Sequence, residues 1–303
     1  MTCDFCYRRC DIAEGGYGIC RSRAVKDGKL LSPHYSELCS SALDPVEKKP
    51  LYHFLPGTKT LSIAEEGCNF FCSFCQNYEI SRHHREHVCI DEDTIVDIAL
   101  NEGAPSISYT YSEPIVWQDY MLSVAAKAKG KGLMNIMVSN GSFSDESIKR
   151  ILPFIDAYNI DLKGDERFYN GIVKASAIPV RKGIEKISNY GSHLEVTTMI
   201  IEGVHNEGMI REIGRFLSDA GVKVWHLTRF FPCYMMDDRK ETSEAYLTRM
   251  YEVARQCNIS YIYRGNSISH DDTICPNCGT KIDRYAINGV CNHCNAVIYG
   301  KFI

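Results

Sequence analysis

From Lys59 onward, short apolar runs bounded by turn residues alternate with longer amphipathic stretches. That alternation is the pattern of repeated strand–helix units around a parallel sheet. Strands are expected at Thr60 to Ala64, Ser106 to Tyr111, Asn135 to Ser139, Ala157 to Asp161, Leu194 to Ile201 and Val224 to Phe230, with a last short one at Tyr261 to Tyr263. Helices are expected between them, at Glu92 to Asn101, Ile115 to Lys129, Ser144 to Leu152, Pro179 to Tyr190, Glu207 to Ala220 and Ser243 to Gln256. Six such units predict an α/β fold, a partial (β/α)6 TIM-like barrel rather than a full eight-unit one. Parallel barrels place function at the carboxyl ends of their strands. Three units are predicted: residues 1–55, a Cys-rich metal-binding segment and linker arm; 56–268, the barrel; and 269–303, a zinc-ribbon-like segment. In the arm, DPVEKKPLYHF from Asp44 to Phe54 is polar and basic, and Pro45 and Pro50 break any helix.

The chain has 303 residues, 45% of them hydrophobic, enough for one sizeable core. A net charge of −4 argues against a strongly basic nucleic-acid surface. No apolar run reaches membrane-spanning length, and MTCDFCYRRC lacks the apolar core of a signal peptide. A cytosolic enzyme is therefore expected, and in that setting the 15 cysteines are reduced thiols available to metals rather than disulfides. Cys39, Cys89, Cys233 and Cys257 stand apart as small buried or indifferent side chains. The others form three spaced groups.

The first group is Cys3, Cys6, Cys10 and Cys20, with a Gly-rich turn before the fourth. It suits a tetrahedral site of zinc type, with an auxiliary iron–sulfur cluster as the alternative. The last, CPNC at Cys275 to Cys278 and CNHC at Cys291 to Cys294, has the spacing of a zinc ribbon. His293 is a bystander, since four cysteines complete a tetrahedron. Between them, GCNFFCSFCQN from Gly67 to Asn77 holds Cys68, Cys72 and Cys75 as CxxxCxxC. Thiolates are the usual ligands of a 4Fe-4S cluster, which normally takes four. Three leave one iron open to an outside ligand.

Polar residues at the expected strand ends complete the candidates. Glu113, after the second strand, is placed to accept hydrogen bonds from an ammonium group. Asp161 and Lys163 lie two residues apart on one side of a strand, so both can face the interior, where unpaired charge is costly and favours a mutual pair or a polar ligand.

CxxxCxxC resembles the hallmark of the radical S-adenosylmethionine (radical SAM) enzymes. The order of DPVEKKPLYHFLPG, SIAEEGCNFFCSFCQNYEIS, SYTYSEP, NIDLKGDERFY, EVTTMIIEGVHN, WHLTRFFP, YRGN and the closing CPNC/CNHC resembles one branch over nearly the whole chain. That branch is the AmmeMemoRadiSam-system radical SAM enzyme, a relative of pyruvate formate-lyase activating enzymes. The resemblance implies a 4Fe-4S cluster whose open iron chelates the methionine part of S-adenosylmethionine, and a 5′-deoxyadenosyl radical formed by electron transfer. It implies Phe74 beside the adenine and Asn77 as the asparagine after the cluster. Ser112 and Glu113 match a GGEP segment that binds the methionine amino group, although Tyr111 and Ser112 replace the two glycines. Asn140 stands near the ribose, Lys163 is the candidate for the methionine carboxylate with Asp161 second, and His226 matches a strand-end histidine. Ile200 and Ile201 are expected to wall the adenine pocket, and Arg229, Tyr234 and Arg264 to hold an anionic or peptide substrate. Glu65 and Glu66 add negative charge near the cluster. Cys233 stands where an acidic residue is common, as a reactive thiol or a mere substitution.

The expected function is reductive cleavage of S-adenosylmethionine followed by hydrogen abstraction from a substrate the residues do not name. Flavodoxin or ferredoxin is the expected electron donor, and Memo-like and AMMECR-like proteins are the implied partners. The rival within enzymes is a glycyl-radical-enzyme activase acting on a partner protein. The rival outside enzymes is a zinc-ribbon binding module.

Overall fold

A computed structural model describes residues 1–82 and 86–302. Its main sheet contains β1 (Ser40–Pro45), β2 (Lys59–Ala64), β3 (Ser106–Tyr109), β4 (Met134–Ser139), β5 (Ala157–Asp161), β6 (His193–Ile200), β7 (Val224–Arg229) and β8 (Tyr261–Gly265). Neighbours in the sheet follow chain order, and β2 to β8 run parallel. The intervening helices are α1 (Tyr78–Arg82), α2 (Glu92–Asn101), α3 (Gln118–Gly130), α4 (Asp145–Ile151), α5 (Ala177–Tyr190), α6 (Glu207–Asp219) and α7 (Glu244–Ala254). This is the expected α/β architecture of a partial barrel, with every expected strand and helix present. Both faces of a parallel sheet are buried, which is why its strands read as near-continuous apolar runs. Helix starts follow local chemistry: the side chains of Asp91, Ser144, Asn206 and Ser243 each accept a hydrogen bond from a backbone N–H of the first turn.

One expectation is corrected. Residues 40–55 are not a surface arm. β1 pairs antiparallel with β2 and forms one edge of the sheet. Val46, Leu51, Phe54 and Leu55 are buried against Met134, Ile136 and Ala157 at the starts of β4 and β5. The charges that made this phrase look exposed are paired: Lys49, itself buried, donates to Asp44 at 2.8 Å. The backbone N–H groups of Tyr52 and His53 donate to the Glu195 carboxylate at 3.0 and 2.7 Å.

The C-terminal ribbon docks on the same end of the barrel. Cys275, Ile282, Cys291 and Ile298 pack with Val224, Tyr261 and Tyr263. Leu55 N–H donates to Lys301 O at 2.7 Å, and Lys301 N–H to His53 O at 2.8 Å. The opposite, carboxyl-end mouth holds the cysteine loop.

Candidate active site

The loop 67–77 follows β2 and is tied down on several sides. Gly67 N–H donates to Ile80 O, Glu113 N–H to Gly67 O, Phe71 N–H to Val173 O and Ser73 N–H to Ile172 O. Gly67 has φ +110°, and a Cβ there would stand 1.9 Å from Ser22 Oγ and 2.8 Å from Cys20 O. Only glycine fits. So anchored, Cys68, Cys72 and Cys75 line a cavity of 590 Å³ inside the barrel mouth, together with Phe74, Asn77, Ser112, Glu113, Asn140, Asp161, Lys163 and His226. That volume lies within the range of small-molecule and cofactor sites.

The three sulfurs do not all lie within 4.8 Å of one another, so they are spread too widely for one ion and suit the corners of a cluster. Burial pushes the Cys72 thiol up to about 12, so thiolates here require a bound cation. By contrast, the ribbon sulfurs are set for a single metal. Cys275 and Cys294 are 3.7 Å apart, Cys278 and Cys291 3.8 Å, and all four lie within 4.8 Å of one another. Tetrahedral zinc–thiolate bonds of about 2.3 Å place sulfurs about 3.8 Å apart.

Glu113 is 2% exposed. One carboxylate oxygen accepts from Ser139 Oγ at 2.7 Å and Ile115 N–H at 3.1 Å, the other from Asn140 N–H at 2.8 Å. Burial pushes this carboxyl up to about 7 against the pull of those hydrogen bonds. A cationic ligand in the cavity would favour its ionised form. Lys163 Nζ and Asp161 Oδ2 form a 2.7 Å pair. Burial works against the lysine's charge, but the Asp161 carboxylate keeps its pKa above the ordinary value.

Other candidates are already engaged. The Asn140 side chain accepts from Ser142 N–H and Oγ and donates to Asn69 Oδ1 at 2.8 Å, so it shapes its own turn. Ser112 Oγ donates to Glu65 O at 2.5 Å and accepts from Trp117 Nε1 at 2.9 Å. Asn77 Nδ2 donates to Tyr111 O at 2.7 Å. Phe74 packs 5.8 Å from the Phe168 ring. His226 is not at a strand end: it is the third residue of β7, opposite Thr197 and Tyr263, and it bonds Glu195.

Met199 and Thr197, rather than Ile200 and Ile201, line the cavity: alternation turns Ile200 to the other face of β6, and Ile201 lies beyond the strand's end. Arg229 is held by Glu241, Glu244 and Thr242 O, and Arg264 by Asp271. Neither is among the cavity-lining residues. Cys233 Sγ donates to Cys75 O at 3.3 Å, and Tyr234 stacks on Tyr78 at 4.8 Å, so the loop after β7 braces the outside of the cysteine loop. Glu65 adds no charge at neutral pH, since burial pushes its carboxyl up to about 9.

Tyr111 has φ +65°, the left-handed conformation that favours glycine. Its hydroxyl donates to Asp44 and Lys49 sits 4.3 Å over its ring, contacts that hold it there. The departure from a glycine at this point is thus compensated by the edge strand that the sequence reading missed.

Comparison with known proteins identifies a family for the chain. The Radical SAM superfamily profile matches residues 64–217, just over half of the chain. The uncharacterized protein MJ0808 of Methanocaldococcus jannaschii is 37% identical over 95% of this chain and 89% of its own length. Among solved structures, Streptococcus suis SuiB bound to precursor peptide SuiA superposes with TM-score 0.55 at 14% identity, over 72% of this chain and 50% of that one. TYW1 with a lysine-pyruvate adduct bound superposes with TM-score 0.51 at 15% identity, over 70% and 78%. The chain thus spans about half the length of the SuiB chains it matches. Among the described residues, no helix is long and apolar enough to cross a membrane. With its three-thiol loop at the mouth of a parallel barrel, the chain belongs to the radical SAM superfamily of enzymes.

Proposed function

We propose that this protein reductively cleaves S-adenosylmethionine at a 4Fe-4S cluster held by Cys68, Cys72 and Cys75, and that the resulting 5′-deoxyadenosyl radical abstracts hydrogen from a substrate. The observation that carries this reading is the convergence of the three thiols, the Glu113 carboxylate and the Lys163–Asp161 pair on one cavity. Such a cluster supplies one electron to the sulfonium. The chain's own residues do the rest. Glu113 accepts the methionine ammonium, Lys163 faces its carboxylate, and Phe74 and Met199 give the adenosine an apolar wall. Burial keeps a primary carbon radical away from solvent and bystander C–H bonds.

Finer features of the reading are supported by the motif order. We assign the chain to the AmmeMemoRadiSam-system branch, with a flavodoxin- or ferredoxin-type donor and a functional association with Memo-like and AMMECR-like proteins. The ribbon carries zinc, as its sulfur spacing suits, and the reduced thiols suit the cytoplasm. Anaerobically reconstituted protein given dithionite and S-adenosylmethionine should release 5′-deoxyadenosine and methionine. Release of both by Cys75→Ala would overturn the assignment.

A further inference from the structure

Cys3, Cys6, Cys10 and Cys20 enclose a second cavity, closed by Phe5, Arg23 and Val116. Three of the four thiols are buried. Unlike the ribbon sulfurs, no three of these lie within 4.8 Å of one another. The cavity leaves about 10 Å³ for the centre of a water-sized sphere. Four sulfurs drawn in to about 2.3 Å around one ion leave no such room. The thiols therefore stand farther apart than one ion would hold them, as the corner ligands of a cubane do.

The surroundings suit an anionic inorganic core. Arg23 is 3% exposed and lines the cavity, and its Nε has no hydrogen-bond partner. A buried guanidinium N–H left without an acceptor is costly, and cluster sulfides or thiolates would supply one. Backbone N–H groups of Phe5, Arg8 and Ser22 and the side chain of Asn69 already meet the thiols of Cys3, Cys6 and Cys20. Hydrogen bonds of this kind tune iron–sulfur potentials.

This group also abuts the loop that carries the first cluster. Asn69, which meets the Cys6 thiol, is the residue after Cys68. Arg8 Nε donates to Asn69 O at 2.7 Å. Gly67 packs directly on Cys20 and Ser22.

We infer that the N-terminal thiols hold a second 4Fe-4S cluster, in place of zinc, that relays electrons to the one at Cys68, Cys72 and Cys75. A low-potential one-electron donor of flavodoxin or ferredoxin type reduces the N-terminal cluster by one electron. That cluster is then reoxidised as the other is reduced, with no bond made or broken.

Metal analysis of the anaerobically reconstituted full-length protein tests the identity of the group. The expected content is about eight iron and one zinc per chain, and about four iron and two zinc overturns the inference. The variant Cys68→Ala/Cys72→Ala/Cys75→Ala should keep about four iron and give an electron paramagnetic resonance signal on dithionite reduction. An iron-free variant that still binds zinc at two sites overturns it. The relay rests on the proposed function, while the iron count of this variant does not. In fully reduced wild type the two resonance signals should be broadened by mutual spin coupling. Two uncoupled signals would overturn the relay and leave the cluster standing.

Discussion

His226 Nε2 and Glu195 Oε2 are hydrogen-bonded at 2.6 Å, both fully buried, and of the two only His226 lines the cavity. Glu195 also accepts from His193 at 2.9 Å and from the backbone of Tyr52 and His53. Burial alone would raise its pKa, yet the two histidines hold it well below the usual carboxylate range. His226, which lines the cavity, is thus held in place by Glu195, and Glu195 also fastens residues 52 and 53 to β6.

Glu195→Gln should break this fastening. The amide nitrogen cannot accept, so buried donors are left unmatched. A loss of about 3–5 kcal/mol in denaturant unfolding is expected, with faster hydrogen exchange at the Tyr52 and His53 amides. Unchanged exchange there would mean that the segment is held by other contacts.

Glu65 gives a pH signature. Its folded-state pKa is raised from the ordinary 4.5 to about 9 by burial. The folded chain then binds this proton more tightly than the unfolded one, so the contribution is full below about pH 4.5 and is lost as pH rises toward 9. Glu65→Gln stays neutral and can still accept from Ser36 N–H, 2.8 Å from the Glu65 oxygen. Its melting temperature relative to wild type should therefore rise by several degrees between pH 5 and 9. A difference independent of pH would remove the buried acid from the account.

Binding of S-adenosylmethionine should depend on charge at two places. Glu113→Gln loses acceptor capacity toward both the turn at Asn140 and a ligand ammonium. Lys163→Met keeps apolar bulk and removes the cation beside Asp161. Each should weaken binding by roughly 10- to 100-fold, as expected for charged hydrogen bonds worth about 1.5–3 kcal/mol. Calorimetric titration of anaerobic protein measures this, and wild-type affinity in Lys163→Met would clear the lysine of contact with the ligand.

Disrupting the four-thiol site of the ribbon should be felt in stability before chemistry. Tyr299 OH accepts from Leu194 N–H at 2.9 Å, and the Lys301 backbone pairs with His53 and Leu55. Cys291→Ser should lower the melting temperature and loosen the His53 and Leu55 amides, while 5′-deoxyadenosine release stays within about threefold of wild type. A larger loss would give the ribbon a direct part in the reaction.

The parallel sheet was legible because buried strands and amphipathic helices carry their periodicity locally. The cysteine loop was legible because its three thiols are neighbours in sequence. What escaped depends on partners far apart in the chain. Asp44, Lys49 and Tyr111 explain one another only when β1 lies beside β2. Glu195 looks like an ordinary strand charge until Tyr52, 143 residues away, is seen to bond it. Asn140 reads as a free amide at a turn, and only the fold shows Asn69 and Ser142 occupying it. The mid-strand place of His226 follows from the register of β6, β7 and β8, which the residues of β7 alone do not reveal.

Gly67 carries a last consequence. Its missing side chain leaves the space into which Cys20 and Ser22 press, so the N-terminal segment through Ser22 forms one flank of the loop at Cys68. A chain clipped ahead of Arg23 would uncover that flank. Oxygen attacks exposed iron–sulfur cores, so iron bound at Cys68, Cys72 and Cys75 should be lost in air faster from the clipped form than from the intact one. The N-terminal segment in this sense covers one side of the loop.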